Sequence, residues 1–402
     1  MINIALLGFG TVGSGVAEVL AENAAIIEKR LGKKINVKYI LDLRDFPDSP
    51  FADKIVHDFN VILKDPEIEI VAEMMGGSHP AYDFSKAALE AGKSVVTSNK
   101  ECVANFGVEL LQVAEKNGVR YLFEASVGGG IPVIRPIIND LAPVRIKSIS
   151  GILNGTTNYI LSKMANEKAA FGDVLADAQK KGYAEANPAA DVEGIDAARK
   201  IVILAALASD KLENPDTIHR EGITKVTELD MKIADAFGCV IKLIAHFENR
   251  NGKLLSMVSP RFVSKNSPLG TVSDVFNGIL IDTDMLGEVM FYGHGAGKLP
   301  TAGAVCADIF DIAAGVEKVK KVSWTSAKAD DIANFDEYAC KRVVTVKASQ
   351  NDLAAIEMHF GKSEKTVCVD NTVSFIINAS EKDSAALVAT SPLEVTKTYR
   401  ML

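Results

Sequence analysis

The chain has no cysteine pairing that could hold a metal. Its five cysteines, at positions 102, 239, 306, 340 and 368 of 402 residues, show no CxxC spacing. That excludes a zinc site and fits reduced thiols in a cytoplasmic protein. Long apolar runs are missing too: the longest uncharged one, "IVILAALAS" at 201–209, falls far short of the roughly 20 residues a bilayer span needs. The opening "MINIALLGFG" has neither the charged start nor the apolar length of a signal peptide. No long basic stretch or aromatic-studded patch occurs, and the net charge is −8, which excludes nucleic acid and acidic membranes as expected partners. What is present is an ordinary globular composition, 48% hydrophobic and 24% charged. A chain of 402 residues exceeds the roughly 250–300 at which one core stops growing, so two or three domains are expected.

The first motif is an apolar run, Ile2 to Leu7, followed by Gly8-Phe9-Gly10-Thr11-Val12-Gly13 and a helical pattern that reads as one long helix before the second strand. A glycine-rich turn between strand and helix lets the backbone approach a pyrophosphate, whose charge the free N–H groups of the helix start then face. GxGxxG by itself is weak, and a turn that binds nothing is the competing reading; strand before and helix after favour dinucleotide binding. The second strand ends in Asp42, Leu43, Arg44 and Asp45. An acid there holds adenosine ribose hydroxyls and an arginine takes a 2′-phosphate, so NAD and NADP both stay open. Ordinary solvated strand-end charge is the alternative for both residues.

Strands and helices go on alternating through "IEIVAEMMGGSHPAYDFSKAALEAGKSVVTSNKE", the pattern of a Rossmann doubly wound parallel sheet. In such sheets ligands sit beyond the carboxyl ends of the strands, where Gly76-Gly77 and Thr97-Ser98-Asn99-Lys100 fall. Lys100 shares its loop with Ser98 and Asn99 and is read as functional over a solvated surface lysine; His79 reads as a partly exposed loop histidine. Glu124 and the run Gly128-Gly129-Gly130 arrive in the same region, where a carboxylate among backbone carbonyls could coordinate a hard cation.

Seven segments, "LLGFGTVGSGV", "AEMMGGSHPA", "VVTSNKE", "EASVGGGIP", "GILNGTTNYIL", "GYAEANPAADVEGIDAARK" and "FYGHGAGKLPTAGAVCADI", resemble the successive motifs of bacterial homoserine dehydrogenases, in that family's order and over about residues 1–315. Segments 151–161 and 182–200 are the specific ones, absent from unrelated Rossmann enzymes. The resemblance implies NAD- or NADP-dependent interconversion of L-homoserine and L-aspartate 4-semialdehyde, in threonine and methionine biosynthesis. Two departures stand out: His294 replaces a frequent proline, and the tail is unusual.

Homoserine is a zwitterion with a primary alcohol, so its site must hold an ammonium, a carboxylate and a hydroxyl. Glu185 and Asp196 suit the ammonium. A lysine desolvated at a helix start can have its pKa lowered enough to take the alcohol proton, and Lys200 sits directly against 201–209. Asp196 and Lys200, four apart, share one helix face; the competing reading is a solvated first turn whose acids answer the helix dipole. By resemblance, Lys200 is the proton donor and acceptor, Glu185 and Asp196 bind substrate with Asp191 beside them, and Lys100 is a second lysine at the nicotinamide edge. The two lysines' roles could be exchanged. Gly182 and Gly297 match glycines that approach the dinucleotide, and Glu124 with the carbonyls of Val127, Gly129 and Ile131 matches a monovalent cation site, commonly sodium. Asn154, Thr156 and Thr157 read as substrate contacts or helix caps.

The expected organisation is a dinucleotide-binding domain over 1–132, completed by about 300–325, a substrate-binding, catalytic and dimerisation α+β domain over 133–300, and a βαββαβ module over 335–402. The tail resembles an ACT domain, but Ser349-Gln350-Asn351-Asp352 stand where an effector-pocket turn is usual. A degenerate module that pairs subunits and responds weakly or not at all to threonine is expected, within a homodimer or a dimer of dimers. A related amino-acid semialdehyde oxidoreductase and a non-catalytic NAD(P)-binding sensor are the alternatives; Lys100, Lys200, Glu185 and Asp196 together argue against the sensor.

Overall fold

A computed structural model describes residues 1–315 and 322–402; the stretch 316–321 of the expected 300–325 return lies outside the described residues. The chain forms two compact units. One comprises Met1–Lys147, Val202–Pro215 and Asp282–Ala327, the other Ser148–Ile201, Asp216–Ile281 and Lys328–Leu402.

The first unit is built on six strands, β1 (Ile2–Leu7), β2 (Ile35–Leu41), β3 (Ile55–Val56), β4 (Ile68–Glu73), β5 (Ser94–Thr97) and β6 (Tyr121–Leu122). They lie in the order β3-β2-β1-β4-β5-β6, all parallel, as the alternating sequence pattern implies. Helices cover both faces of such a sheet, so its strands read as apolar runs instead of alternating: Ile4, Ala5, Leu6 and Leu7 are all fully buried. Strand order reverses between β1 and β4, and the register Leu7↔Leu41 and Leu7↔Glu73 brings the residues after three strands to one edge. That edge is where an open α/β sheet binds ligands.

One long helix would connect β1 and β2 on sequence pattern, but the structure has two, α1 (Thr11–Glu22) and α2 (Ala24–Leu31), with a break at Asn23. Helix Lys298–Ala313 packs closely on α1: a Cβ at Gly15 would meet Lys298 and the Ala302 methyl at 3.0 and 3.1 Å. The small-residue helix predicted from "KLPTAGAVCADIF" thus returns to the first unit's core, with Ala302, Val305 and Ile309 beside Val16 and Leu6.

In the second unit a mixed sheet runs through strands Phe276–Thr283, Ile146–Ile152, Cys239–Arg250, Lys253–Ser264, Val395–Met401, Ala339–Lys347, Thr372–Ser380 and Thr366–Val369. The last four, with helices Leu353–Phe360 and Glu381–Ala389, form the βαββαβ tail. The tail joins the central sheet through Arg261↔Arg400 and Phe262↔Met401. No helix among the described residues is long and apolar enough to cross a membrane, and all five cysteines are free.

Candidate active site

The turn after β1 is shaped by close backbone approach. A Cβ on Gly13 would lie 2.0 Å from the Gly8 carbonyl oxygen, so only glycine lets the first turn of α1 close over the end of β1. Among the described residues no side chain caps the start of α1, which leaves its first N–H groups for an anion. The N–H of Phe9 is committed elsewhere: it donates to Asp42 Oδ2 at 2.8 Å, and its ring packs edge-on against Phe46 and Phe51. Arg44 grips the same carboxylate, Nε to Oδ1 at 3.0 Å and Nη2 to Oδ2 at 3.2 Å. These bonds hold the Asp42 carboxyl down at about 2, while the Arg44 side chain stays 64% exposed. The two residues that pointed to different dinucleotides on sequence are one ion pair.

At the ends of β4 and β5 a second clamp fixes the remaining loop residues. Asn99 caps helix Lys100–Lys116, accepting from the Cys102 N–H at 3.0 Å, and its Nδ2 donates to the Met75 and Gly77 carbonyls at 3.2 and 2.7 Å. One side chain therefore sets both the loop containing Gly76 and the helix turn that starts with Lys100. Beneath it Glu73 is fully buried, accepting from the Thr97 hydroxyl at 2.6 Å and the Met75 N–H at 2.7 Å.

Burial pushes the Glu73 carboxyl up from 4.5 to about 7. The native state therefore keeps a proton that the unfolded chain has lost, so this contribution to stability is fully present below 4.5 and disappears as pH rises through about 7. Glu73→Gln stays neutral, and its Tm is expected to fall less than that of the wild type between about pH 5 and 8. Parallel Tm–pH curves for the two proteins would show that Glu73 does not titrate there.

Glu124, 2% exposed, accepts N–H groups from Val133, Ile134 and Arg135 at 2.8, 2.9 and 2.7 Å. It thereby ties the glycine loop to the start of helix Ile134–Asn139. Burial raises its pKa, against the pull of Arg135. The neighbouring Val127, Gly129 and Ile131 are buried, and among the described residues their carbonyls accept no hydrogen bond. The Gly130 N–H donates to the carbonyl of His294 at 3.1 Å. Gly297, at φ +126°, caps helix Lys298–Ala313 in a conformation that favours glycine.

The charged entrance to the apolar helix Ile195–Ser209 is a polar network within the second unit. Lys200 is 8% exposed and Asp196 5%. The lysine donates to Asp196 Oδ2 and to the Leu153 carbonyl, both at 2.7 Å. Asn154 Oδ1 accepts the Thr157 N–H at 2.9 Å as the cap of helix Gly155–Glu167. That requirement turns its Nδ2 toward both acids, Asp191 Oδ1 at 2.7 Å and Asp196 Oδ2 at 2.9 Å. Sequence weighed Asn154 as a cap or a substrate ligand; it caps, and the same amide links the two acids. The solvated first turn does not apply to Asp196 and Lys200, which are buried and paired.

Glu185 is not brought into this network. It is exposed on the loop after helix Phe171–Lys180, where its backbone carbonyl accepts from Gln179. Gly182 is exposed on the same loop, with φ +74°, and Thr156 holds that loop through the Tyr183 carbonyl at 2.5 Å. His79 is exposed and pairs with Asp83 at 2.7 Å, as a loop histidine would. The Asn154 bridge, the Leu153 carbonyl and the Glu73–Asn99 clamp were not legible as site features, because their partners lie tens of residues away in sequence.

Two family profiles match the chain, "Homoserine dehydrogenase, NAD binding domain" over residues 8–124 and "Homoserine dehydrogenase" over residues 132–310. A homoserine dehydrogenase from Synechocystis is 45% identical over 319 residues, 77% of this chain and 73% of that protein. The chain belongs to the homoserine dehydrogenase family. The crystal structure of a homoserine dehydrogenase from Thiobacillus denitrificans superposes with a TM-score of 0.90 at 32% identity, covering 100% of this chain and 98% of the other. A hyperthermophilic archaeal homoserine dehydrogenase mutant in complex with NADPH gives a TM-score of 0.68 at 30% identity, over 79% of this chain and 99% of that one. As a homoserine dehydrogenase family member the chain is an NAD(P)-dependent oxidoreductase with a small-molecule substrate.

Proposed function

We propose that the Lys200–Asp196–Asn154–Asp191 network is the substrate site and that Lys200 moves the proton in the interconversion of L-homoserine and L-aspartate 4-semialdehyde. The observation that carries this reading is the buried pair of Lys200 and Asp196 at 2.7 Å. In the reductive direction the ammonium, held by Asp196 and Leu153, gives its proton to the oxygen of the aldehyde as the carbonyl becomes an alcohol. In the oxidative direction the amine takes the hydroxyl proton. A nicotinamide cofactor, when bound, would supply or accept the hydride. Asp196 and Asp191, aligned by one amide, suit the substrate ammonium, and Glu185 on the nearby exposed loop is the further acid for it.

Gly8, Gly10, Thr11, Val12, Gly13, Gly76, Gly182 and Gly297 are assigned to the dinucleotide, and Lys100 to its nicotinamide end or the substrate carboxylate. Arg44, exposed and already neutralising Asp42, suits the 2′-phosphate of NADP; for NAD the Asp42 carboxylate would have to leave its arginine. The carbonyls of Val127, Gly129 and Ile131 beside Glu124 fit a monovalent cation, sodium by family resemblance, since hard oxygen donors suit it. Five free cysteines support a cytoplasmic setting. The segment 133–300 is assigned to substrate binding and dimerisation, and 335–402 to an ACT-like module within a homodimer.

One set of steady-state assays tests the reading, with L-homoserine and either NAD or NADP, followed by the absorbance of the reduced nicotinamide. Turnover with homoserine is expected, and Arg44→Ala should raise KM for NADP more than for NAD, by about 10-fold for one lost charge-assisted pair. Millimolar threonine should leave the rate nearly unchanged. Absence of homoserine turnover sinks the reaction; equal KM changes sink the role of Arg44; strong threonine inhibition sinks the degenerate module.

A further inference from the structure

Three arginines stand side by side across the joint between the tail and the central sheet. The register pairs Arg261 with Arg400 and Arg400 with Arg342, and residues paired in register present their side chains on one face. All three are buried, at 1%, 6% and 3% exposure. A desolvated guanidinium needs a compensating charge, and among the described residues only two of the three have one. Arg400 grips Glu381 side-on, Nε to Oε1 at 2.7 Å and Nη2 to Oε2 at 3.0 Å, and reaches Glu221 through Nη1 at 2.7 Å. Arg342 binds the same Glu381 end-on, at 2.7 and 3.1 Å.

Among the described residues, Arg261 donates only through Nη1, to the Tyr338 hydroxyl at 3.2 Å. Its Nε and Nη2 are buried without a hydrogen-bond partner among the described residues, as is the hydroxyl of Ser259, two residues earlier on the same face of the strand. The nearby ionisable groups do not supply the missing charge. Burial lowers His246 to about 4, so it is neutral, and Glu248 is occupied by Arg250 at 3.2 Å.

We infer that the Nε/Nη2 edge of Arg261, with the Ser259 hydroxyl, is a buried binding site for a small oxyanion, best matched by a carboxylate. The edge left empty on Arg261 is the edge with which Arg400 takes the Glu381 carboxylate, so the protein displays the expected geometry one strand away. Two parallel N–H donors fit two oxygens of one planar group, which a halide cannot match. Such an anion would complete the row of charges that fastens strand Val395–Met401 to strand Lys253–Ser264.

The test uses the full chain saturated with NADPH, so that sites for nucleotide phosphate are filled. Thermal unfolding is followed while acetate, inorganic phosphate or chloride is added at constant ionic strength. Acetate is expected to raise Tm saturably, by about 2 °C or more at concentrations far above its Kd, and chloride much less. Arg261→Met should abolish the rise and keep turnover. A larger effect of phosphate than acetate supports the site and assigns it to a tetrahedral oxyanion; an equal response to chloride, or an unchanged acetate response in Arg261→Met, overturns it. If Arg261→Met does not fold, Ser259→Ala must weaken the acetate effect, and a crystal grown in acetate must show a planar group across Nε and Nη2. Only water there overturns the site.

Discussion

Replacing Lys200 by methionine lowers kcat by about 10²–10⁴-fold, the usual contribution of a positioned acid or base, while NADPH binding stays within about 2-fold of wild type, because a phosphate or ribose contact is not what is removed. Methionine keeps the unbranched side-chain length, so the variant loses the ammonium and with it the hydrogen bonds to the Leu153 carbonyl and Asp196 at 2.7 Å. Asp196 keeps its Asn154 donor at 2.9 Å, which limits the folding penalty to about 1–3 kcal/mol for a part-satisfied buried carboxylate. Turnover near that of the wild type would remove Lys200 from the chemistry. Asp196→Asn separates the roles: a larger rise in KM for homoserine than loss in kcat is expected if the acid grips the substrate ammonium.

Gly13→Ala should abolish cofactor use at ordinary concentrations. Its Cβ would sit 2.0 Å from the Gly8 carbonyl oxygen and 3.0 Å from the carbon, and neither atom is free to move. Gly8 follows directly on β1, and its N–H donates to the Leu41 carbonyl at 2.8 Å. The start of α1 must swing away instead. A displacement of about 1 Å in a positioning element costs on the order of 10²-fold in activity, and the strain costs about 1–3 kcal/mol or more in stability. Gly10→Ala makes the comparison informative. Among the described residues no atom lies within 4 Å of a Cβ there, so stability should hold while a methyl now stands where the backbone approaches the pyrophosphate. Titrating NADPH against both variants alongside their Tm values decides the matter: equal Tm for the two would mean that the predicted backbone clash is relieved without cost.

How much of this was visible in the residues depends on the range of the interaction. The parallel sheet was legible because buried strands read as apolar runs, as with Ile4 to Leu7. The pairing of Asp196 with Lys200 was legible because positions four apart on a helix share a face. The single helix expected between β1 and β2 was wrong at Asn23, where Nδ2 donates back to the Val19 carbonyl and the chain restarts as α2. Asp42 and Arg44 were seen as rivals because nothing in a string of letters shows that one carboxylate accepts both Arg44 and the Phe9 N–H 33 residues away.

By itself the sequence determined the Rossmann half, the family and the two charged groups on the first turns of helix Ile195–Ser209, since all of these rest on periodicity, spacing and motif order within short stretches. Only the tertiary structure decided that Asn154 joins acids 37 and 42 residues away, that Glu124 holds the amides of a following helix, that Glu185 stays on an exposed loop, and that Arg261, Arg400 and Arg342 form one row. Those outcomes depend on strand register and on which distant chain segment fills a neighbouring space, and register is set by the packing of whole sheet faces and not by any local pattern.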